Sequence, residues 1–484
     1  MVNVPRIGAA RLVAAVMCVC SSAATAQPAP VSPADQTAPG APAVSSTPVP
    51  GHAGAGPQDD AAPKGLFERD TLLGDIGGVR PALARAGVSL GLSETSEAFG
   101  NPTGGIARGV IYEGLTQVSL GVDLGRAIGL DGGIVNVSAF QIHGRGLSTN
   151  DIGNLNAASG IEADRSTRLF ELWYQQSFLG GRADIKLGQQ SADLEFMTSQ
   201  YGGLFINAGF GWPTLAAVDL PSGGPAYPLP TPGVRLRVTP DNRFAALLGV
   251  FNGNPAGRGL GDPQRRVASG TTFGVGSGVF VIGEMQLAVN GGEAATGLPG
   301  TYKLGAWYDS NANDNQFFSN GPINASDPTP RGLRDNWSVY AAADQLLYRP
   351  PGVKDGGAGL FLRAMGAPGE RNLLEVFVDG GLTYKGAFGR ANDTFGLGVA
   401  YARISDTARA SDSASASASG HPLLHRTAET VLELSYQAQV VPWWVVQPDL
   451  QYVLDPGGGI VDPGRPGRRV GDALILGLRT GVTF

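Results

Sequence analysis

Arg235 and Arg237 stand two apart in "GVRLRV", interleaved with Val234, Leu236 and Val238. In an extended strand that spacing sends both guanidiniums to one side and the aliphatic side chains to the other. Such a pair can donate hydrogen bonds to a polar solute or pair with carboxylates, and Asp193, Glu195 and Asp219 all lie within reach along the chain. A second group of the same types lies upstream. It comprises Glu162, Asp164, Arg165 and Arg168, then Glu171 and Gln175, then Arg182, Asp184 and Lys186. Between the two groups fall the aromatics Tyr201, Phe205, Phe210, Trp212 and Tyr227. The plain alternative for any one of these charges is an ion pair across a polar wall.

Bond-breaking chemistry finds less support. "GVSLG" at 87–91 has the spacing of a hydrolase nucleophile elbow, but an elbow needs a strand-to-helix turn and this segment alternates as a strand. His421 and His425 are four apart beside Pro422 and a Ser/Ala tract, a poor metal site. The expectation is no enzyme, no cofactor and no metal. A net charge of −6 gives no reason to expect nucleic acid as a partner.

The elements that must position these residues are strands. The last thirteen residues, "DALILGLRTGVTF", place Leu474, Leu476, Leu478 and Val482 on one face and Ile475, Gly477 and Arg479 on the other. The same period of two recurs in "YEGLTQVSLGVDL", "VFVIGEMQLAV", "TVLELSYQAQV" and "WWVVQPDLQYVL", where Glu, Gln, Ser and Asp oppose aliphatics and aromatics. Glycine, at 73 of 484 residues, discourages long helices and suits turns and bent strands.

Segmentation gives roughly sixteen strands, within the range of known porin-type barrels. They fall near 86–98, 110–124, 132–143, 167–178, 182–191, 233–239, 243–251, 277–289, 301–310, 335–346, 358–366, 373–385, 393–405, 428–440, 444–455 and 472–484. Short links such as 179–181, 240–242 and 441–443 tend to alternate with long ones such as 144–166, 192–232 and 406–427. The links near 290–300 and 367–372 break the rule. That asymmetry predicts an all-β, transmembrane antiparallel barrel over 86–484, with short periplasmic turns and long external loops. Closure is required because lipid cannot satisfy an open sheet edge. The competing fold is a set of soluble β-sandwiches, which also alternate.

The N-terminus divides further. Arg6 and Arg11, the apolar run "LVAAVMCVC" and the Ala24-Thr25-Ala26 site read as a signal peptide over 1–26. Both cysteines, Cys18 and Cys20, fall inside it. Residues 27–63 are a Pro/Ala-rich spacer unable to bury a core, and 64–85 read as a short periplasmic cap or helix.

The chain resembles the carbohydrate-selective porin (OprB-type) family over most of 66–484. The resemblance rests on "LFERDTLLGDIGGVRPALARAGV", with Arg69, Asp70, Gly74, Asp75, Gly77, Gly78 and Arg80. It continues through "SGIEADRSTRLFELWYQQ", "FINAGFG", "GGPAYPLPTPGVRLRV" and "GVFNGNP", in that order. It implies a sixteen-stranded channel in the outer membrane of a Gram-negative bacterium, passing monosaccharides such as glucose, as a monomer or a homotrimer. The remaining partners would be outer-membrane lipid and the barrel-assembly machinery, engaged through the strand ending at Phe484. A sugar needs hydrogen-bonding groups for its hydroxyls and flat apolar surfaces for its C–H faces, bound weakly enough to leave. On that reading the solute-contacting candidates are Glu162, Arg165, Arg168, Glu171, Arg235, Arg237, Trp212 and Tyr227. Mixed arginine and carboxylate suits a neutral polyol better than an anion. A general or anion-preferring porin is the alternative, and a barrel-based hydrolase a weaker one. Trp173, Tyr174, Trp443 and Trp444 read as interface-belt or packing aromatics.

Overall fold

The computed structural model describes residues 65–291, 296–311, 313–314, 332–353, 355–419, 425–465 and 467–484. Residues 1–26 and 27–63, read above as signal peptide and spacer, and His421 lie outside the described residues. Among those described, no helix is long and apolar enough to cross a membrane, which says nothing about a barrel.

Sixteen strands close into one antiparallel barrel. They are β1 Val88–Gly105, β2 Val110–Asp123, β3 Gly133–Gly144, β4 Ser166–Phe178, β5 Ala183–Gln190, β6 Thr231–Val238, β7 Phe244–Asn252 and β8 Val279–Val289. Then follow β9 Gly300–Asp309, β10 Asn336–Tyr348, β11 Gly357–Gly366, β12 Leu374–Lys385, β13 Thr394–Ile404, β14 Ala428–Val441, β15 Trp444–Leu454 and β16 Gly471–Thr483. Each pairs with its sequence neighbour, and β1 pairs with β16 from Ser93↔Thr483 to Gly105↔Gly471. A two-residue pair, Asn313–Asp314 with Gly332–Leu333, lies outside the barrel sheet.

The segmentation places fifteen of these strands to within two residues at each end. The first departs. The segmentation ends it at 98, yet the chain stays paired through two register shifts to Gly105. Pro102 is accommodated because those shifts release it from the regular ladder, as bulges do.

The faces follow the period of two. Leu304, Leu397 and Leu476 point outward and are 64%, 54% and 50% exposed, while Glu284, Glu433 and Arg479 on the other parity are buried inside. Burial in a barrel thus means the interior, and the exposed aliphatics form the lipid face. One patch breaks that face. Glu94 accepts hydrogen bonds from Thr116 and Ser96 and lies 3.5 Å from His143, whose ring nitrogen meets the Tyr112 hydroxyl at 3.2 Å. These residues have outward parity on β1, β2 and β3, as their cross-strand pairs show.

The four-residue link 106–109 lies at one end of the barrel, while the short turns 179–182, 239–243 and 442–443 share the other. There a helix, α1 (Val79–Arg85), precedes β1, and Arg80 donates to the Phe484 carbonyl. The Leu72 N–H donates to Thr483 at 2.8 Å, and the Trp443 indole donates to Leu66 O. Trp443 and Trp444 stack there, in keeping with an interface position. By the rule for outer-membrane barrels this end faces the periplasm.

The core sits inside the barrel. Residues 191–230, which include α2 (Thr214–Asp219), fold inward from the opposite end, and 145–165 join them. Phe196, Phe205, Phe210 and Leu215 are buried against inward-facing Phe251, Phe361 and Ile404. Inward glycines make room for these rings. A Cβ on Gly398 would meet Phe210 at 2.8 Å, and one on Gly396 would meet Phe205 at 3.0 Å. Part of the glycine excess therefore exists to let loop aromatics lie on the wall.

Candidate functional site

The infolded loop must satisfy its backbone away from water, and the wall supplies the partners. Glu433 accepts from the Ile206 and Asn207 N–H groups at 2.6 and 3.0 Å. Glu284 accepts from Met197 N–H at 2.8 Å, and Asp344 from Ser199 Oγ and Tyr201 N–H. Glu429 takes Leu155, Asn156 and Gly457 N–H groups, each at 2.7 Å. Arg363 does the converse, donating to Met197, Gly211 and Gly209 carbonyls while held by Asp379. Inward carboxylates and Arg363 thus fasten the infolded segments by their backbone.

Several of the residues singled out by sequence act in the same fastening. Arg168 is buried and donates to Pro228 O at 2.8 Å and Gln264 O at 3.2 Å. Glu171 accepts from Ser191 N–H and from the Trp173 indole, both at 3.1 Å. Glu162 accepts from Ser148 N–H and Oγ. Burial raises its carboxyl against those bonds. Tyr227 donates to Ile161 O at 2.8 Å, with burial pushing its phenol up. Trp212 donates to Gly223 O at 3.1 Å. Arg165 is exposed, outside the ladder described next. Phe205 and Phe210 pack on Phe361 with centroids 5.7 and 6.0 Å away, so their rings belong to the core.

Arg235 and Arg237 form a different arrangement. Cross-strand register sets Arg235 beside Lys186 and Arg237 beside Asp184. Asp184 pairs with both guanidiniums, at 2.8 Å to Arg237. From the loop, Glu195 reaches Arg235 Nε at 2.6 Å and also pairs with Lys186. Burial alone would raise the Glu195 carboxyl, but the Lys186 and Arg235 cations outweigh it and hold it at about 2. The result is a ladder of alternating charge, Arg237, Asp184, Arg235, Glu195, Lys186, running along β5 and β6 with the loop as its fourth rung. Arg237 is its most open member, at 37% exposure. Of the three carboxylates that sequence offered as loop partners, Glu195 is the one engaged. Asp193 instead accepts from Tyr227 N–H, and Asp219 from Leu373 and Leu374 N–H.

Trp173 was legible as an aromatic but not as a member of this site. It faces inward, opposite Asn136, with the Lys186 ammonium 4.5 Å over its ring. A bulge explains the placement: Phe170 and Glu171 together oppose Ser138, and the Glu171 N–H donates to the Ser138 hydroxyl. Ser89, from the G-x-S-x-G match, lies on the regular ladder of β1 opposite Gly121. The strand-to-helix elbow is absent there.

The family profile described as "Carbohydrate-selective porin, OprB family" matches residues 107–484. The chain belongs to that family. Porin B of Pseudomonas aeruginosa is 26% identical over 445 residues, spanning 85% of this chain and 91% of that protein. The high-pH structure of Pseudomonas putida OprB superposes with a TM-score of 0.75 at 23% identity, covering 87% of this chain and all of that one. The low-pH structure of the same protein gives a TM-score of 0.54 at 18% identity. The protein is thus a Gram-negative outer-membrane porin of the carbohydrate-selective family. Family and barrel point to a channel rather than an enzyme.

Proposed function

We propose that this porin passes neutral monosaccharides such as glucose by passive, selective diffusion. The observation that carries the reading is the ladder. Its cations, Lys186, Arg235 and Arg237, are offset by Asp184 and Glu195, with Glu171 close by, so the wall offers donors and acceptors with little net attraction for an anion. Arg235 and Arg237 are the proposed donors to sugar hydroxyls, and Trp173 the neighbouring flat surface. Of the other sequence candidates, Glu162, Arg168, Glu171, Trp212 and Tyr227 would shape the passage chiefly by where they hold the loops, and exposed Arg165 carries no such role. Planar-bilayer conductance titrated with glucose tests this. Saturable block of the ion current supports a sugar site, whereas linear conductance with a strong chloride preference would establish the anion-preferring alternative.

Assembly is part of the same proposal. A carboxylate on the lipid face is costly, and a second copy of the chain against β1–β3 would cover Glu94 and His143, as a homotrimer requires. A cysteine at Gln141, outward on β3, should then cross-link between copies in membranes; strict absence of cross-linking would leave a monomer. Cleavage after Ala26, a periplasmic spacer over 27–63 and a cap over 64–85 complete the proposed organisation, and sequencing the mature N-terminus checks the first of these. Recognition of the Phe484 strand by the barrel-assembly machinery predicts that deleting Phe484 lowers the assembled fraction.

A further inference from the structure

The lumen holds a second feature, away from the charge ladder. At the short-turn end lies a cavity of about 640 Å³ bounded by the wall from β8 round to β1 and by the loop tip at Gln200–Leu204. Its size falls within the range of small-molecule sites. The loop contributes one aromatic to it, Tyr201.

Tyr201 is held in a way that suits a platform. Its N–H donates to Asp344 at 3.2 Å, and Ser199 two residues earlier donates to the same carboxylate at 2.6 Å. Gly359 lies directly behind the ring: a Cβ there would collide with Cδ1, Cε1 and Cζ. One face of the ring is therefore set on bare backbone, as only glycine permits, and the side chain remains partly open toward the cavity. Thr383 is the cross-strand partner of Gly359 and also lines the cavity. Arg349 and Gln437 line it as well, adding donors and an acceptor to the same cavity. Burial and the nearby Asp344 carboxylate hold the Tyr201 phenol at about 12, so it keeps its proton across the physiological range.

A flat aromatic face sharing one cavity with a hydroxyl, an amide and a guanidinium is the complement of a pyranose, which has an apolar C–H face and equatorial hydroxyls. The geometry points to a second, exit-side sugar subsite in which the ring of Tyr201 stacks on a neutral pyranose, with Thr383, Arg349 and Gln437 bonding its hydroxyls. This rests on the reading that neutral sugars pass through the lumen, and adds where they pause before release. Two weak sites in series let a solute enter the first as another leaves the second.

The test uses the full-length channel in planar bilayers, with glucose added to one chamber at a time. Tyr201→Ala should raise the half-blocking glucose concentration from the short-turn side by roughly three- to tenfold, with a smaller change from the other side. Tyr201→Phe should stay close to wild type. Gly359→Ala, which drives a methyl group into the ring, should resemble Tyr201→Ala. Both variants should assemble, because the fastening by Tyr201 is through its backbone. Unchanged one-sided block in Tyr201→Ala would overturn the subsite while leaving the sugar-porin reading standing. A wild-type channel showing no glucose block from either side would remove both.

Discussion

Removing the Arg363 side chain is the sharpest probe of how the channel is narrowed. Its guanidinium is 2% exposed and has two obligations. It pairs with Asp379 through bonds of 2.6, 3.0 and 3.1 Å, and it donates to the carbonyls of Met197, Gly209 and Gly211 at 2.7–2.9 Å. In Arg363→Met, Asp379 loses its buried partner inside the barrel, which costs about 3–5 kcal/mol in comparable buried pairs. Sixteen closed strands do not depend on that arginine, so the cost should fall on the loop. Opening of the segment around 197–211 would become roughly a hundredfold to several thousandfold more populated. Glu433 and Glu284 still hold Ile206, Asn207 and Met197, so the loop should loosen rather than leave. Single-channel recording should show larger or noisier conductance, and limited proteolysis should cut near Gly209. The double variant Arg363→Met with Asp379→Leu removes both charges and should open less than the single one. Normal conductance and a protease-resistant loop in Arg363→Met would refute the reasoning, as would a double variant that is worse than the single.

Three further outcomes follow from the same geometry. Leu476→Arg puts a charge on the lipid face and should impair insertion by about 2–4 kcal/mol, whereas Gln437→Arg, facing the lumen, should fold and change conductance; equal tolerance in a heat-modifiability assay would overturn the face assignment. Arg235→Ala and Arg237→Ala should each give a heat-resistant barrel, because Lys186 still serves Glu195, yet weaken glucose block; if both insert and block is unchanged, this part of the wall does not contact sugar. The Glu195 carboxyl is held at about 2, below its ordinary value near 4.3. Its contribution to holding the loop is therefore complete above about pH 4.3 and is lost as pH falls toward 2. Glucose block should be constant from neutral pH to about 4.5 and weaken below, and Glu195→Gln should abolish that step; a step persisting in the variant would assign it to another group.

The barrel was legible because lipid imposes one rule on every strand. Outside the Glu94–His143 patch, outward positions are mostly apolar, so Leu432 and Leu434 against Glu433 and Ser435 declare their faces without reference to any other part of the chain. Trp173 escaped because an aromatic two residues from both Glu171 and Gln175 reads equally well as belt or packing, and the parity set by Arg168 does not carry past the bulge. At Ser138 two residues of β4 oppose one, and every side chain beyond belongs to the other face. The loop was less legible still. Alternation says that Glu429, Glu433 and Asp344 face inward, but not whether they meet water, a solute or the N–H groups of a loop hundreds of residues away in sequence. That choice is made by the loop's own unsatisfied backbone, which has no signature in side-chain types. The one available signal is the pairing of inward glycines with loop aromatics. Gly396 and Gly398 leave a gap of ring thickness on β13, and "FINAGF" brings Phe205 and Phe210 to fill it. An inward carboxylate one strand from such a gap, as Glu433 is from Gly398, is therefore better read as an anchor for the incoming loop than as a contact for the solute.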